Sequence, residues 1–177
     1  MIKSFRKEFE EKIFELGYSF SCQQVGFYVL YDKFKNYFIT VRLMISEQPN
    51  LLIHGSKNGL NIQSIGLFKF TYPEPFDVPD FFIFSFQNPS QSQTELLIIP
   101  ESVLKTRIFE KYHRILSNKR VEIVCWLMSD GFVYNTTHLS VEGEWYYLSL
   151  GVNGRMADGT DLDYTPFLNN WEQLLVH

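Results

Sequence analysis

At 177 residues, with 17 Phe, 10 Tyr and 3 Trp, the chain carries ample apolar surface for a core and is predicted to form a single domain, 1–177. Its formal net charge of −4 argues against broad polyanion binding, which rests on many Lys and Arg neutralising phosphates, while leaving room for a local basic patch. No run reaches the ~18 apolar residues of a membrane span, and the charged opening MIKSFRKEFEEKIFELG is unlike a signal peptide, so a cytoplasmic protein without membrane contact is expected.

Residues 4–16 read as an amphipathic helix. Phe5, Phe9, Ile13 and Leu16 fall on one stripe of a 3.6-residue period, with Ser4 placed to cap the start and Gly17 to end it. Strands follow over 18–25 and 27–31, with Gly26 at a bend between them. The polar stretch 32–36 turns the chain into a further strand, 37–45. Residues 46–66 lack a period, apart from a short strand near 51–54. A strand over 67–72 ends at Pro73 and Pro75, because proline lacks the amide donor.

The stretch VPDFFIFSFQNPSQSQTELLIIP, from Val78 to Pro100, is the most apolar in the chain. Two runs rich in Phe and Ile flank a loop of Asn, Pro and Ser, which predicts a long hairpin buried on both faces. A second helix is expected over 101–116, with Val103, Leu104, Ile108, Tyr112, Ile115 and Leu116 as its buried stripe. Its outer face and the turn after it hold Lys105, Arg107, Lys111, Arg114, Lys119 and Arg120, the most basic region. These six are read first as a solvated face and second as a nucleic-acid contact. Strands over 121–128 and 132–136 flank the turn Ser129-Asp130-Gly131, a strand follows over 144–150, and a last helix is expected over 165–175 with Thr165 as N-cap and Pro166 at the first position.

The fold class expected from this order is α/β (α+β), a mixed, largely antiparallel central sheet flanked by helices. The two cysteines, Cys22 and Cys125, lie far apart inside predicted strands and read as buried free thiols of a reducing compartment. His54, His113, His138 and His177 are scattered, without zinc spacing. Asn135-Thr136-Thr137 fits a glycosylation sequon but has no secretory context. Asp158, Asp161 and Asp163 sit in a glycine-rich loop whose spacing does not match an EF-hand, so Asp163 is expected to prepare the last helix instead.

A helix followed by three antiparallel strands, further strands and a helix, together with the phrase TELLIIPESVLK, resembles the restriction-endonuclease-like (PD-(D/E)xK) nuclease superfamily over residues ~5–125. The resemblance implies a restriction-endonuclease-like core in a bacterial defence or DNA-metabolism setting. It also implies an Asp near the start of one core strand, an acid-x-Lys triplet on the next and often a helix Glu. In that family the carboxylates hold Mg²⁺, and the Lys positions or activates water.

A hairpin turning near Lys33 and Phe34 sets Gly26 and Phe27 opposite Thr40 and Val41, so the Asp slot holds Gly26 and the triplet slot holds Thr40-Val41-Arg42. Arg cannot serve as a base. Glu10 or Glu11 of the first helix is expected to approach Arg42. The literal Pro79-Asp80 and Glu95 do not replace these residues. The second hairpin turns near Ser90 and Gln91, which sets Asp80 opposite Glu101 and Glu95 opposite Phe86, about six residues or roughly 20 Å apart along the ladder. Asp80 and Glu95 are therefore read as marking strand ends.

The functional expectation is a non-catalytic or vestigial domain with no catalytic residues and no cofactor, binding a nucleic acid or a protein partner, self-association being left open. The vestigial-site candidates are Glu10, Glu11, Gly26, Thr40 and Arg42. The nucleic-acid candidates are Lys105, Lys111, Arg114, Lys119 and Arg120. Two alternatives stand beside it. One is an active nuclease with atypical acids, for which Mg²⁺ would be needed. The other is a plain interaction module using Trp126, Trp145, Tyr146 and Trp171.

Overall fold

The computed structural model describes residues 2–32, 34–46, 56–57, 60–71, 78–88, 93–110, 120–129, 131–135 and 163–175. In order these form α1 (Ile2–Glu15), β1 (Tyr18–Gln24), β2 (Phe27–Asp32), β3 (Tyr37–Ile45), β4 (Ser56–Lys57), β5 (Leu60–Thr71), β6 (Phe81–Asn88) and β7 (Gln93–Pro100). Then come α2 (Glu101–Leu104), which loosens into a π-helical stretch over Lys105–Glu110, β8 (Arg120–Met128), β9 (Val133–Asn135) and two 3₁₀ turns, Thr165–Phe167 and Trp171–Leu174. The class is mixed α+β, with most described residues in strands.

There are two sheets. One has the order β1-β2-β3-β6-β7 and the other β4-β5-β8-β9. Every pairing is antiparallel except β3 with β6, which run parallel. The period-2 alternation of side chains sorts β6 and β7 between two cores. Phe82, Phe84, Phe86, Leu97 and Ile99 face the second sheet, where they meet Phe68 and Phe70 of β5 and Val121, Ile123, Cys125 and Leu127 of β8. Phe81, Ile83, Leu96 and Ile98 face the other way, with Phe9 and Ile13 of α1, Tyr28, Leu30, Val41 and Leu43. The layers are thus helix, five-stranded sheet, four-stranded sheet. The central hairpin is buried on both faces, as its unbroken apolar run predicts. Each buried Phe contributes roughly 1.5–3 kcal/mol by leaving water. The rings meet across the sheets as tilted pairs, Phe68 with Phe84 at 4.9 Å and Phe70 with Phe82 at 5.4 Å. Gly66 makes room for the Phe68 ring of its own strand, from which a Cβ would lie 2.7 Å, and that Cβ would also stand 3.4 Å from Phe86 of the facing sheet.

Several expectations change. The segment 60–66, read as irregular, is the first half of β5. It pairs with β8 through a bulge between Ile62 and Ser64, and that bulge breaks the alternation a sequence reader looks for. The last helix does not form. Asn169 turns left-handed at φ 49°, and Leu168 bridges to Leu97, so the chain is drawn into pairing with β7 between two short 3₁₀ turns. Thr165 does not cap a helix. Its Oγ1 instead accepts the Val133 N–H at 3.0 Å. The second helix is α-helical over Glu101–Leu104 and π-helical over Lys105–Glu110, and the remainder of its expected span, 111–116, lies outside the described residues. Cys22 is exposed and Cys125 buried, and both are free thiols. The expected strands at 51–54 and 144–150 lie outside the described residues, as do Asp158, Asp161, Trp145 and Tyr146. Trp126 is buried, and Trp171 packs on Phe9 at 6.3 Å, so both serve the core. Among the described residues no helix is long and apolar enough to cross a membrane.

Candidate functional site

The hairpin β2–β3 carries the residues picked from the sequence, in a register two residues away from the expected one. Phe27, not Gly26, faces the triplet, and it lies opposite Arg42. Gly26 sits beside Leu43 instead, and its carbonyl accepts the Leu43 N–H at 2.6 Å. The cause is the turn. Asp32 Oδ1 accepts the N–H groups of Phe34 and Lys35 at 2.8 and 3.1 Å, and Asn36 adopts φ 56°. These contacts stretch the loop over 33–36 and move its centre past Phe34.

Gly26 is required for a backbone reason. It has φ 77°, and a Cβ would lie 2.5 Å from the Leu43 carbonyl. Arg42 leaves the sheet on the face opposite α1, because its neighbours Val41 and Leu43 pack toward the helix. Its Nη1 donates to the Val25 carbonyl at 2.8 Å. On the helix side, Glu10 Oε1 accepts from Arg6 Nε at 2.7 Å and from the Tyr28 hydroxyl at 2.9 Å. Burial, followed by that hydrogen bond, pushes the Tyr28 hydroxyl well above the ordinary tyrosine range, and Glu10 raises the Arg6 guanidinium further. Glu11 pairs with Lys7 at 3.3 Å on the exposed face.

The carboxylate that does reach the triplet is Asp80. Parallel pairing of β3 with β6, Val41 opposite Phe81, places Asp80 beside Thr40. Asp80 Oδ2 accepts both the N–H and the Oγ1–H of Thr40 at 2.7 Å. The Asp80 N–H donates back to the Thr40 carbonyl at 2.9 Å, and the Asp80 carbonyl accepts the Glu101 N–H at 2.9 Å. Phe38, Asp80 and Glu101 border one open cavity of about 460 Å³. Asp80 and Glu95 stand apart, as the register of β6 with β7 predicts: Phe86 is opposite Glu95 and Phe81 opposite Pro100.

Glu95 corrects a second expectation, for it is not a marker of a strand end. It is buried at 4% exposure, and its carboxylate accepts from three amides: Asn88 Nδ2 at 3.0 Å, Gln93 Nε2 at 3.3 Å and Asn169 Nδ2 at 2.6 Å. Asn169 also accepts the Leu96 N–H through Oδ1 at 3.0 Å. This group fastens the C-terminal segment to β7, and one acid inside the run TELLIIP was its only sign in the sequence.

The basic region divides. Lys105 is exposed on the helix. Arg107 is committed to structure, donating to the Asp163 carbonyl at 2.6 Å and lying over the rings of Tyr164 and Phe167 at 5.6 and 4.9 Å. Arg120 opens β8 opposite Thr71. Lys111, Arg114 and Lys119 fall outside the described residues. Asp163 is buried, and its Oδ1 accepts the Thr165 N–H at 2.9 Å.

Among the described residues no three His, Cys, Asp or Glu side chains converge as a metal-binding group. Asp80 is hydrogen-bonded to Thr40 of the triplet, and Glu101 lies across from Asp80 with its N–H on the Asp80 carbonyl. No family model, curated protein or solved structure matches the chain. The chemistry of these side chains therefore carries the functional reading alone.

Proposed function

We propose that the chain is a vestigial restriction-endonuclease-like domain that binds a partner and does not cut one. The observation that carries this reading is the state of the triplet Thr40-Val41-Arg42. Its first position is a hydroxyl that donates to the Asp80 carboxylate, and its third is an arginine that donates to the Val25 carbonyl. Neither residue is a base able to activate water. The opening order of α1 and the antiparallel run β1-β2-β3 supports the family likeness.

Among the described residues outside the basic region 105–120, a protein partner suits the surface better than a polyanion. Arg6, Lys7, Lys12 and Lys69 are each paired with a carboxylate, Lys35 with a backbone carbonyl. Those pairings flatten the local positive potential that phosphate binding needs.

One observation favours the alternative of an active Mg²⁺-dependent nuclease with atypical acids. Asp80 lies on the triplet and shares a cavity with Glu101. Two assays separate the readings. Incubation of plasmid DNA with Mg²⁺ or Mn²⁺ is expected to give no cleavage by the wild-type chain. Cleavage that Asp80→Ala or Arg42→Ala abolishes would establish the nuclease. A salt titration of DNA binding then tests the partner class, with no binding at low salt expected if the partner is a protein.

A further inference from the structure

The two edges of the five-stranded sheet are finished differently. Along β7 the edge is closed: Leu97 bridges Leu168, and the Leu96 carbonyl accepts the Asn169 N–H at 2.7 Å. Along β1 no described strand occupies the outer side, and residues 20–25 are all exposed. An open edge is a template for another strand, and proteins usually guard it with charge, proline or a bulge. The β1 sequence YSFSCQQ has no Lys, Arg, Asp, Glu or Pro. Its bulge falls at the far end, between Cys22 and Gln24, and leaves Tyr18–Cys22 as regular strand. Phe20 at 38% exposure and Val25 at 86% add apolar surface along the same border.

We infer that β1 is a self-association surface, pairing antiparallel with β1 of a second copy across a two-fold axis and joining the two five-stranded sheets into one. Three features select a second copy over a foreign strand. The donor and acceptor pattern of an antiparallel edge is complementary to itself under a two-fold, so the chain supplies its own partner. The strand is neutral, so no like charges face each other across the joint. A two-fold normal to the sheet also brings the two α1 helices onto one face. Six of their charged side chains are joined in pairs of opposite sign, Arg6–Glu10, Lys7–Glu11 and Lys12–Glu15, so these present no block of one sign to the copy. The inference deepens the binding reading by naming a partner. It rests on the edge and not on the triplet.

The test is sedimentation of the full chain from low to high micromolar, with Phe20→Lys and Cys22→Lys as variants. Both positions are exposed, so each variant is expected to keep the wild-type fold by circular dichroism. The wild type is expected to move from 20.9 kDa toward twice that mass, and either variant to weaken association about tenfold or more by setting like charges near each other across the joint. A nitroxide on Cys22 gives a second readout, because buried Cys125 escapes labelling. Paired β1 strands hold the two labels within about 20 Å, by strand rise and spacing, so dipolar broadening should appear with the dimer and vanish in Phe20→Lys. A chain that stays monomeric throughout, or a dimer without broadening, overturns the inference. Either result leaves the vestigial-site reading standing, since that is scored by cleavage and DNA binding. Cleavage by the wild type would overturn that reading and leave the edge untouched.

Discussion

The hairpins β2–β3 and β6–β7 lie in the same sheet and obey different constraints. In β6–β7 nearly every side chain is buried, on one face against α1 and on the other against the second sheet. In β2–β3 burial alternates along β3, and Phe34 and Phe38 stand 92% and 67% exposed. A strand buried on both faces has one register, because a one-residue slip would exchange two packed faces. A half-exposed hairpin takes its register from the turn, and here the Asp32 contacts decide it. The polar chemistry gathers where the hairpins touch, at Thr40 and Asp80.

This contrast can be broken at graded points. The largest effect is expected from Phe84→Ala. Removing a ring with no exposure between two packed layers should cost about 3–5 kcal/mol, read as a lower denaturation midpoint. An equal truncation at exposed Phe38 should change stability by less than about 0.5 kcal/mol. Gly26→Ala comes next. A φ of 77° and a Cβ 2.5 Å from a carbonyl oxygen together should cost about 2 kcal/mol, and an unchanged midpoint would refute the close approach. Asp80→Ala should cost about 1 kcal/mol by leaving Thr40 without its acceptor, while Asp80→Asn, which keeps an oxygen, should lose less.

The smallest effect is one of slope. The Tyr28 hydroxyl is held protonated in the fold above its unfolded range of about 10. Above that pH the unfolded chain binds fewer protons than the folded one, so the contribution present below pH 10 is lost as pH rises. Urea melts from pH 9 upward should show stability falling more gently in Tyr28→Phe than in the wild type.

Legibility in the sequence follows the same division. The helix stripe Phe5, Phe9, Ile13 and the β6–β7 ladder were readable, since periodicity and a symmetric loop determine both. The β2–β3 register was not, because a side chain in the turn shifted it. The meeting of Asp80 with Thr40 was out of reach. It depends on parallel pairing between strands that are not sequence neighbours, and hairpin arithmetic contains no term for that. The same gap hid Asn169. Nothing near Glu95 in sequence shows that an amide 74 positions later would receive its carboxylate.

That long reach affects how the chain is made. β7 pairs with β6 across a short loop, yet its outer backbone and one side of the Glu95 carboxylate are covered by residues 168 and 169. During synthesis from the N-terminus the hairpin is complete before residues 168 and 169 exist, so until they arrive Glu95 has only Asn88 and Gln93 as amide partners. Closing that edge depends on contacts far apart in the chain, which fold slowly. For this interval the outer backbone of β7 lacks the partners that residues 168 and 169 later supply.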